Sequence, residues 1–143
     1  MTTEEKTYYY EHNAKYYETD QMAIIHHSNY IRWMEEARVA FMSHIGFSYR
    51  MMEEMGIVSP VLHVECDYKS MTRFDDTVVI AVRVTQYNGI KLGLEYVMQD
   101  KESGEVRAVA GSRHCFLNRE GHPVSLKRTC PEADELFKKW VID

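Results

Sequence analysis

Between Asn29 and Ile45 apolar residues recur with a helical period, and the face they build is broad. At ~100° per residue, Ala40, Trp33, Ala37, Tyr30, Phe41, Met34, Ile45, Ile31 and Met42 fall within an arc of roughly 200°, about twice the width of a surface stripe. Arg32, Glu35, Glu36 and Ser43 fill the remaining strip. Arg38 and His44 interrupt the arc, and each is expected to snorkel or to pair with Glu35 or Asp20. A helix enclosed on so many sides must be wrapped by other elements. Ser28 or Asn29 suits its N-cap and Gly46 its stop.

From Leu62 onward the chain alternates with period two. Leu62, Val64, Cys66 and Tyr68 alternate with His63, Glu65 and Asp67, and Val78, Ile80, Val82 and Val84 share a face of the next segment. Asn88-Gly89 then leads into Ile90, Leu92, Leu94, Tyr96 and Met98; both residues of that dipeptide tolerate positive φ, which makes it a strong hairpin signal. Ser103-Gly104 turns the chain into Val106, Ala108, Ala110, His114 and Phe116. Ahead of the helix, Thr7 to Tyr17 is rich in Tyr and reads as a first strand, on which Tyr16 shares a face with Tyr8, Tyr10 and Ala14. After a loop from Asn118 to Pro123, Thr129 to Trp140 reads as a short amphipathic helix with Pro131 near its start. The predicted fold is α+β, a curled antiparallel sheet of about five strands around one long helix. Five strands cannot close a barrel around it, so a second copy is the simplest cover for the remaining edges, and a homodimer or homotetramer is expected.

Composition narrows this further. The chain has 143 residues, 45% of them hydrophobic, which suits one domain over residues 1–143 with a short terminal helix near 130–140. No apolar run approaches the roughly 18–20 residues of a membrane helix. The polar, acidic start lacks the apolar core of a secretion signal, so a cytoplasmic setting is expected. Cys66, Cys115 and Cys130 are odd in number and form no CxxC, which argues for free thiols. A net charge of -5 argues against nucleic acid as a partner.

Chemistry concentrates between Tyr16 and Tyr30, just before the long helix. A helix start offers unpaired N–H groups and a partial positive charge, which together polarise a carbonyl. Asp20 stands where an acid could attack that carbonyl or activate water against it; equally, it could simply make a turn, with His26 or His27 a satisfied histidine at the helix entrance. Histidines 12, 26, 27, 44, 63, 114 and 122 form no HxxxH, HxH or HExxH, so no metal is expected. Cys66 and Cys115 read as small core residues and Cys130 as packing at a helix start. No GxSxG, GxGxxG or P-loop is present, and no cofactor is implied.

Tyr16-x-x-Thr19-Asp20, followed by Ile24-Ile25-His26-His27-Ser28-Asn29-Tyr30-Ile31-x-Trp33-x-Glu35-x-Ala37-Arg38, resembles the signature of the hotdog-fold acyl-CoA thioesterases. Within them it is similar to the 4-hydroxybenzoyl-CoA thioesterase-like family and its Tol-Pal-associated branch, and the likeness continues through Tyr68-x-x-x-x-Arg73-x-Asp75-Asp76. The resemblance implies a hotdog fold and hydrolysis of an acyl-CoA thioester. Asp20 is then the carboxylate acting as nucleophile or general base, Tyr16 and His27 are catalytic partners, and the His27 N–H polarises the carbonyl at a site between two subunits. His26, Asn29, Arg73 and Arg113 are the expected substrate contacts, with Lys127 and Arg128 as further cations for the phosphates of CoA. One position departs from the family: Ala23 stands where Gly is usual, which raises a catalytically silent acyl-CoA-binding protein as the alternative. A carrier-bound hydroxyacyl dehydratase on the same fold fits the motif less well.

Overall fold

The computed structural model describes residues 1–142. In chain order it contains β1 (Tyr8–Asn13), α1 (Ser28–Ile45), α2 (Tyr49–Glu54), β2 (Val61–Tyr68), β3 (Thr77–Tyr87), β4 (Lys91–Asp100), β5 (Val106–Cys115), α3 (Leu126–Thr129) and α4 (Pro131–Trp140). The five strands form one antiparallel sheet in the order β1-β3-β4-β5-β2, so β1 and β2 are its edges.

The predicted alternation is what the sheet uses. Val78, Ile80, Val82 and Val84 of β3, Leu92, Leu94, Tyr96 and Met98 of β4, and Ala108 and Ala110 of β5 are buried in one core. They share it with Trp33, Ala37 and Phe41 of α1, each fully buried. Burying a large apolar side chain contributes on the order of 1.5–3 kcal/mol, and of the nine residues α1 buries all but Asn29 and Arg38 are apolar. It ends at Gly46, whose φ of 104° is the left-handed stop that glycine supplies most readily.

Several expectations are revised. The first strand stops at Asn13, and Tyr16–Glu18 is a single 3₁₀ turn, so Tyr16 leaves the strand face and is 75% exposed against Phe74. The α1 N-cap position is His27, not Ser28 or Asn29, and no side chain caps it. In the β3–β4 hairpin only Gly89 has positive φ; the turn is instead closed by Asn88 Oδ1, which accepts from Ile90 N and Lys91 N at 3.0 and 2.7 Å. The short α2 has no apolar period long enough to announce it, and Ser48 caps it by accepting from Met51 N at 3.2 Å. The tail splits into α3 and α4, with Cys130 between them.

Arg38 neither snorkels nor pairs with an acid. It is 5% exposed, lies over the Tyr49 ring at 5.2 Å and donates to His114 Nδ1 at 3.0 Å. That bond puts the ring proton on Nε2, which faces Ser112 Oγ at 2.7 Å, and Ser112 in turn meets the Tyr96 hydroxyl at 2.8 Å. His44 is exposed and packs on Tyr8 and Trp140.

Burial, and then the Arg38 charge, push the His114 pKa down to about 4 from its ordinary 6.5. The unfolded chain therefore binds the extra proton first, and stability present above pH 6.5 is lost as pH falls from 6.5 towards about 4. The loss reaches at most about 3 kcal/mol by the pKa-to-energy conversion. Urea unfolding from pH 7.5 to 4.5 is expected to show this decline, and His114→Gln to flatten it; an unchanged slope in that variant would contradict the assignment.

Candidate active site

The residues from Thr19 to Ile25 form a small loop hung in front of α1. Thr19 and Ile25 pair across its base, Asp20 N donates to Ile24 O at 2.9 Å, and Ala23 N donates to Asp20 O at 3.1 Å. One side of the loop is tied to the segment before β3, where Ile24 pairs with Arg73 and Ile25 N donates to Thr72 O at 2.8 Å. Thr72 itself is fully buried and accepts from the Tyr30 hydroxyl at 3.0 Å, so α1 and the loop share one anchor. The other side is tied to Glu18, whose carbonyl accepts from His26 N and from Asn29 Nδ2, both at 2.9 Å.

Asp20 is half-buried, and its Oδ1 accepts from Met22 N at 2.7 Å. That single bond is the turn-making role anticipated as the plain alternative, and it fixes the carboxylate's orientation. A cavity of about 300 Å³ opens beside it, walled by Met22, Ile24, Tyr30 and Met71, with Asp20, His27, Tyr68, Lys69 and Ser70 as the polar residues of its lining. The Tyr68 hydroxyl donates to His27 O at 3.2 Å, pinning the end of β2 to the start of α1. The His27 N–H meets no acceptor among the described residues, and it stands at the positive end of an 18-residue helix.

Ala23 has φ of 63°, the left-handed region where glycine is usual. The departure from the motif therefore leaves the backbone conformation in place and stores its cost as strain beside Asp20, on the order of 1–2 kcal/mol.

The expected site residues do not all gather. Asp20 and His27 line the same cavity. Tyr16 lies outside it, on Phe74. His26 stacks on His27 with ring centroids 4.2 Å apart, but it and Asn29 line a neighbouring cavity of about 480 Å³ with Tyr17, Arg32 and Glu36. Asn29 is 7% exposed and its amide is engaged within the chain. Arg73 joins the Asp20 loop through its backbone. Arg113 pairs with His63, five residues along β2 from Tyr68 and so roughly 17 Å away. It shares a cavity of about 330 Å³ with His63, Lys91 and His114 that has no acid in its lining. Lys127 and Arg128 are exposed on α3, which is tied to Gly89 at that same end of the sheet. Glu18 and Thr72 were not singled out for the site by sequence, although Glu18 directly precedes the Thr19-Asp20 pair, and Tyr68 figured in the motif without a role.

A helix enclosed by a curled antiparallel sheet, with a carboxylate and a free amide at its start, defines a hotdog protein equipped to act on a carbonyl. The thioesterase-like superfamily model matches residues 15–141, and the chain belongs to that superfamily. YneP of Bacillus subtilis (strain 168), named as a candidate acyl-CoA thioesterase, is 33% identical over 127 residues, covering 88% of this chain and 91% of YneP. Among solved structures, a DHNA-CoA thioesterase from Staphylococcus aureus superposes with a TM-score of 0.89 at 31% identity, covering 93% of this chain and 89% of that one. A 1,4-dihydroxy-2-naphthoyl-CoA thioesterase from Synechocystis, 19% identical over 89% of this chain and 94% of its own, shares the fold with a TM-score of 0.80. None of these relatives bears the narrower Tol-Pal-associated name.

Ala23→Gly is expected to relieve the strain at φ 63° while adding freedom to the unfolded chain, for a net gain of roughly 0.5–1 kcal/mol. The urea midpoint reads this, and a midpoint that falls in Ala23→Gly would show that the loop carries no such strain.

Proposed function

We propose that this chain hydrolyses an acyl-CoA thioester to a carboxylate and free CoA, with Asp20 as the reacting acid. One observation supports this reading above the others: the Asp20 carboxylate and the unpaired His27 N–H border a single small, largely apolar cavity at the start of α1. The thioester oxygen accepts from His27 N, the helix dipole stabilises the charge that grows on it, and the carbonyl carbon turns electrophilic. Asp20 then attacks that carbon, expelling the CoA thiolate and leaving an anhydride that water opens, or it takes a proton from water, whose hydroxide attacks instead. The His27 imidazole is at hand to protonate the departing sulfur. Tyr16 orients substrate from the rim rather than from the cavity wall. The walls of Tyr30, Met22 and Met71 suit a bulky apolar or aromatic acyl group, and DHNA-CoA, for which the Staphylococcus aureus relative is named, belongs in the panel of substrates to try.

The site is completed by a second copy. β2 is an edge strand, and its apolar Val61, Leu62, Val64 and Tyr68 are 53, 54, 40 and 48% exposed. Unpaired edges of that kind are covered in stable proteins. A two-fold axis through the sheet would run the two edges antiparallel, setting the Val61 end of one chain beside the Tyr68 end and Asp20 cavity of the other. The partner's acid-free cavity, with its arginine, lysine and histidine, then stands near enough to hold the CoA phosphates, while Arg73 borders the Asp20 loop and His26 and Asn29 border the neighbouring cavity. Among the described residues no helix is long and apolar enough to cross a membrane. The free Cys66, Cys115 and Cys130 support a cytoplasmic reaction, where thiols stay reduced. The silent acyl-CoA-binding alternative loses half its motive, since Ala23 keeps the positive-φ backbone that glycine would adopt, while its methyl group still stands where glycine has none.

Asp20→Asn is expected to lower kcat by at least ~10³-fold with the melting temperature nearly unchanged, as for loss of a reacting group. Full turnover in that variant on a panel of aliphatic and aromatic acyl-CoAs overturns the reading, and tight binding without thiol release by the unaltered protein favours the silent one. Single turnover in heavy-oxygen water separates the two routes: label entering Asp20 indicates the anhydride. Val64→Asp is expected to halve the sedimenting mass and abolish turnover together, and an active monomer would refute the shared site.

A further inference from the structure

We propose that Glu18 is a positioning residue which, through His12 and Trp33, holds the Asp20 loop at a set place against the start of α1. The inference rests on Asp20 as the reacting acid. Glu18 ends the 3₁₀ turn and is 5% exposed. A carboxylate so placed costs several kcal/mol unless its lone pairs are filled. They are filled: Oε1 accepts from Lys15 N at 2.8 Å and meets His12 Nε2 at 2.9 Å, while Oε2 accepts from Trp33 Nε1 at 2.7 Å. Burial pushes the Glu18 carboxyl up, but the bonds from His12, Lys15 and Trp33 outweigh it and hold the group below its usual range.

The partners are themselves fixed. His12, on edge strand β1, is 8% exposed; its Nδ1 faces Glu36 Oε2 of α1 at 3.2 Å, and its ring packs on Trp33 at 4.6 Å. Carboxylates only accept, so the Nε2–Glu18 contact has the ring nitrogen as donor. The Tyr10 hydroxyl lies 3.4 Å from Glu36, and Arg32 lines one cavity with Glu18 and Glu36. Glu18 is thus clamped between β1 and α1 by its side chain, while its carbonyl accepts from His26 N and Asn29 Nδ2 just beyond the loop. Thr19 and Asp20 leave from one side of this residue, and the chain returns to it at His26. Both ends of the loop therefore hang from Glu18, and a shift of its side chain moves Asp20 relative to the His27 N–H. A misplacement of about 1 Å costs up to roughly a hundredfold in rate without altering ground-state binding.

A purely structural Glu18 would lower stability and leave the folded enzyme's kcat alone. Trp33→Phe keeps the aromatic packing and removes only the indole donor; Glu18→Gln keeps the shape and removes the charge. With the acyl-CoA that the unaltered enzyme turns over best, assayed well below each melting temperature, both variants are expected to lose about 10–100-fold in kcat with KM within about twofold. Asp134→Asn, which weakens the distant α4, serves as the stability control with unchanged kcat. Should Glu18→Gln fail to fold, Trp33→Phe carries the test alone. Full kcat in folded Trp33→Phe, or a raised KM at unchanged kcat, overturns the lock while an inactive Asp20→Asn leaves the reaction standing; full kcat in Asp20→Asn overturns both.

Discussion

The enclosure of α1 is the constraint on which the rest of the molecule depends. An 18-residue helix with Trp33, Ala37 and Phe41 fully buried cannot lie on a surface, so the sheet must curl around it. A curled sheet is open at its ends, and the helix start is presented at one of them. The first amides of the helix have no partners in the helix itself, and at His27 none is supplied from elsewhere among the described residues. A donor with a partial positive charge is thus a by-product of wrapping a helix. The local sequence adds an acid at the right place and a loop stiff enough to keep it there.

The elements with a clean period were legible in advance. The breadth of the α1 face, the alternation in β3 through β5 and the Gly46 stop all come from side-chain spacing, which tertiary packing reinforces rather than opposes, whereas the apolar face of β2 stays exposed. The failures share a cause. Tyr16 reads as a strand residue because Tyr favours strands, but the buried Glu18 carboxylate collects Lys15 N and forces the chain into a 3₁₀ turn. Arg38 reads as a surface cation because arginine is rarely buried alone; here a neutral histidine and an aromatic ring serve where an acid was expected. Long-range polar contacts of this kind leave no periodic trace. Asp20 and His27 were named as candidates through an ordered motif, and Tyr68 stood in its continuation, whereas the contacts of Glu18 and Thr72 run to segments far along the chain and emerge only on folding it.

Two buried polar clusters on α1 resolve their charge in opposite ways. At the helix start, Glu18 is surrounded by donors, and its charge is held. Further along, Arg38 is the charged member and His114 stays neutral beside it, its pKa near 4. The contrast stems from partner type. Where the neighbours are N–H groups an acid is retained, and where the neighbour is already a cation a histidine must give up its proton. The first cluster tightens the candidate site, while the second ties α1 to β5 and β4 through Ser112 and Tyr96.

Strain and stiffness meet at Ala23. Left-handed backbone at an alanine persists only where the surroundings over-determine it, and here the determinants are countable: the Thr19–Ile25 pairing, the Asp20 N to Ile24 O bond, the Ile25 N to Thr72 O bond and the Glu18 carbonyl beneath His26. A loop with that many fixed points does not need glycine's freedom to reach its conformation; it needs only to withstand the cost of alanine. The motif position therefore specifies a backbone shape, and the substitution there changes how the shape is enforced and not the shape itself. The fixed points that make Ala23 tolerable also make Glu18 consequential: the strain is borne by the anchors, and Glu18 anchors the loop from both sides.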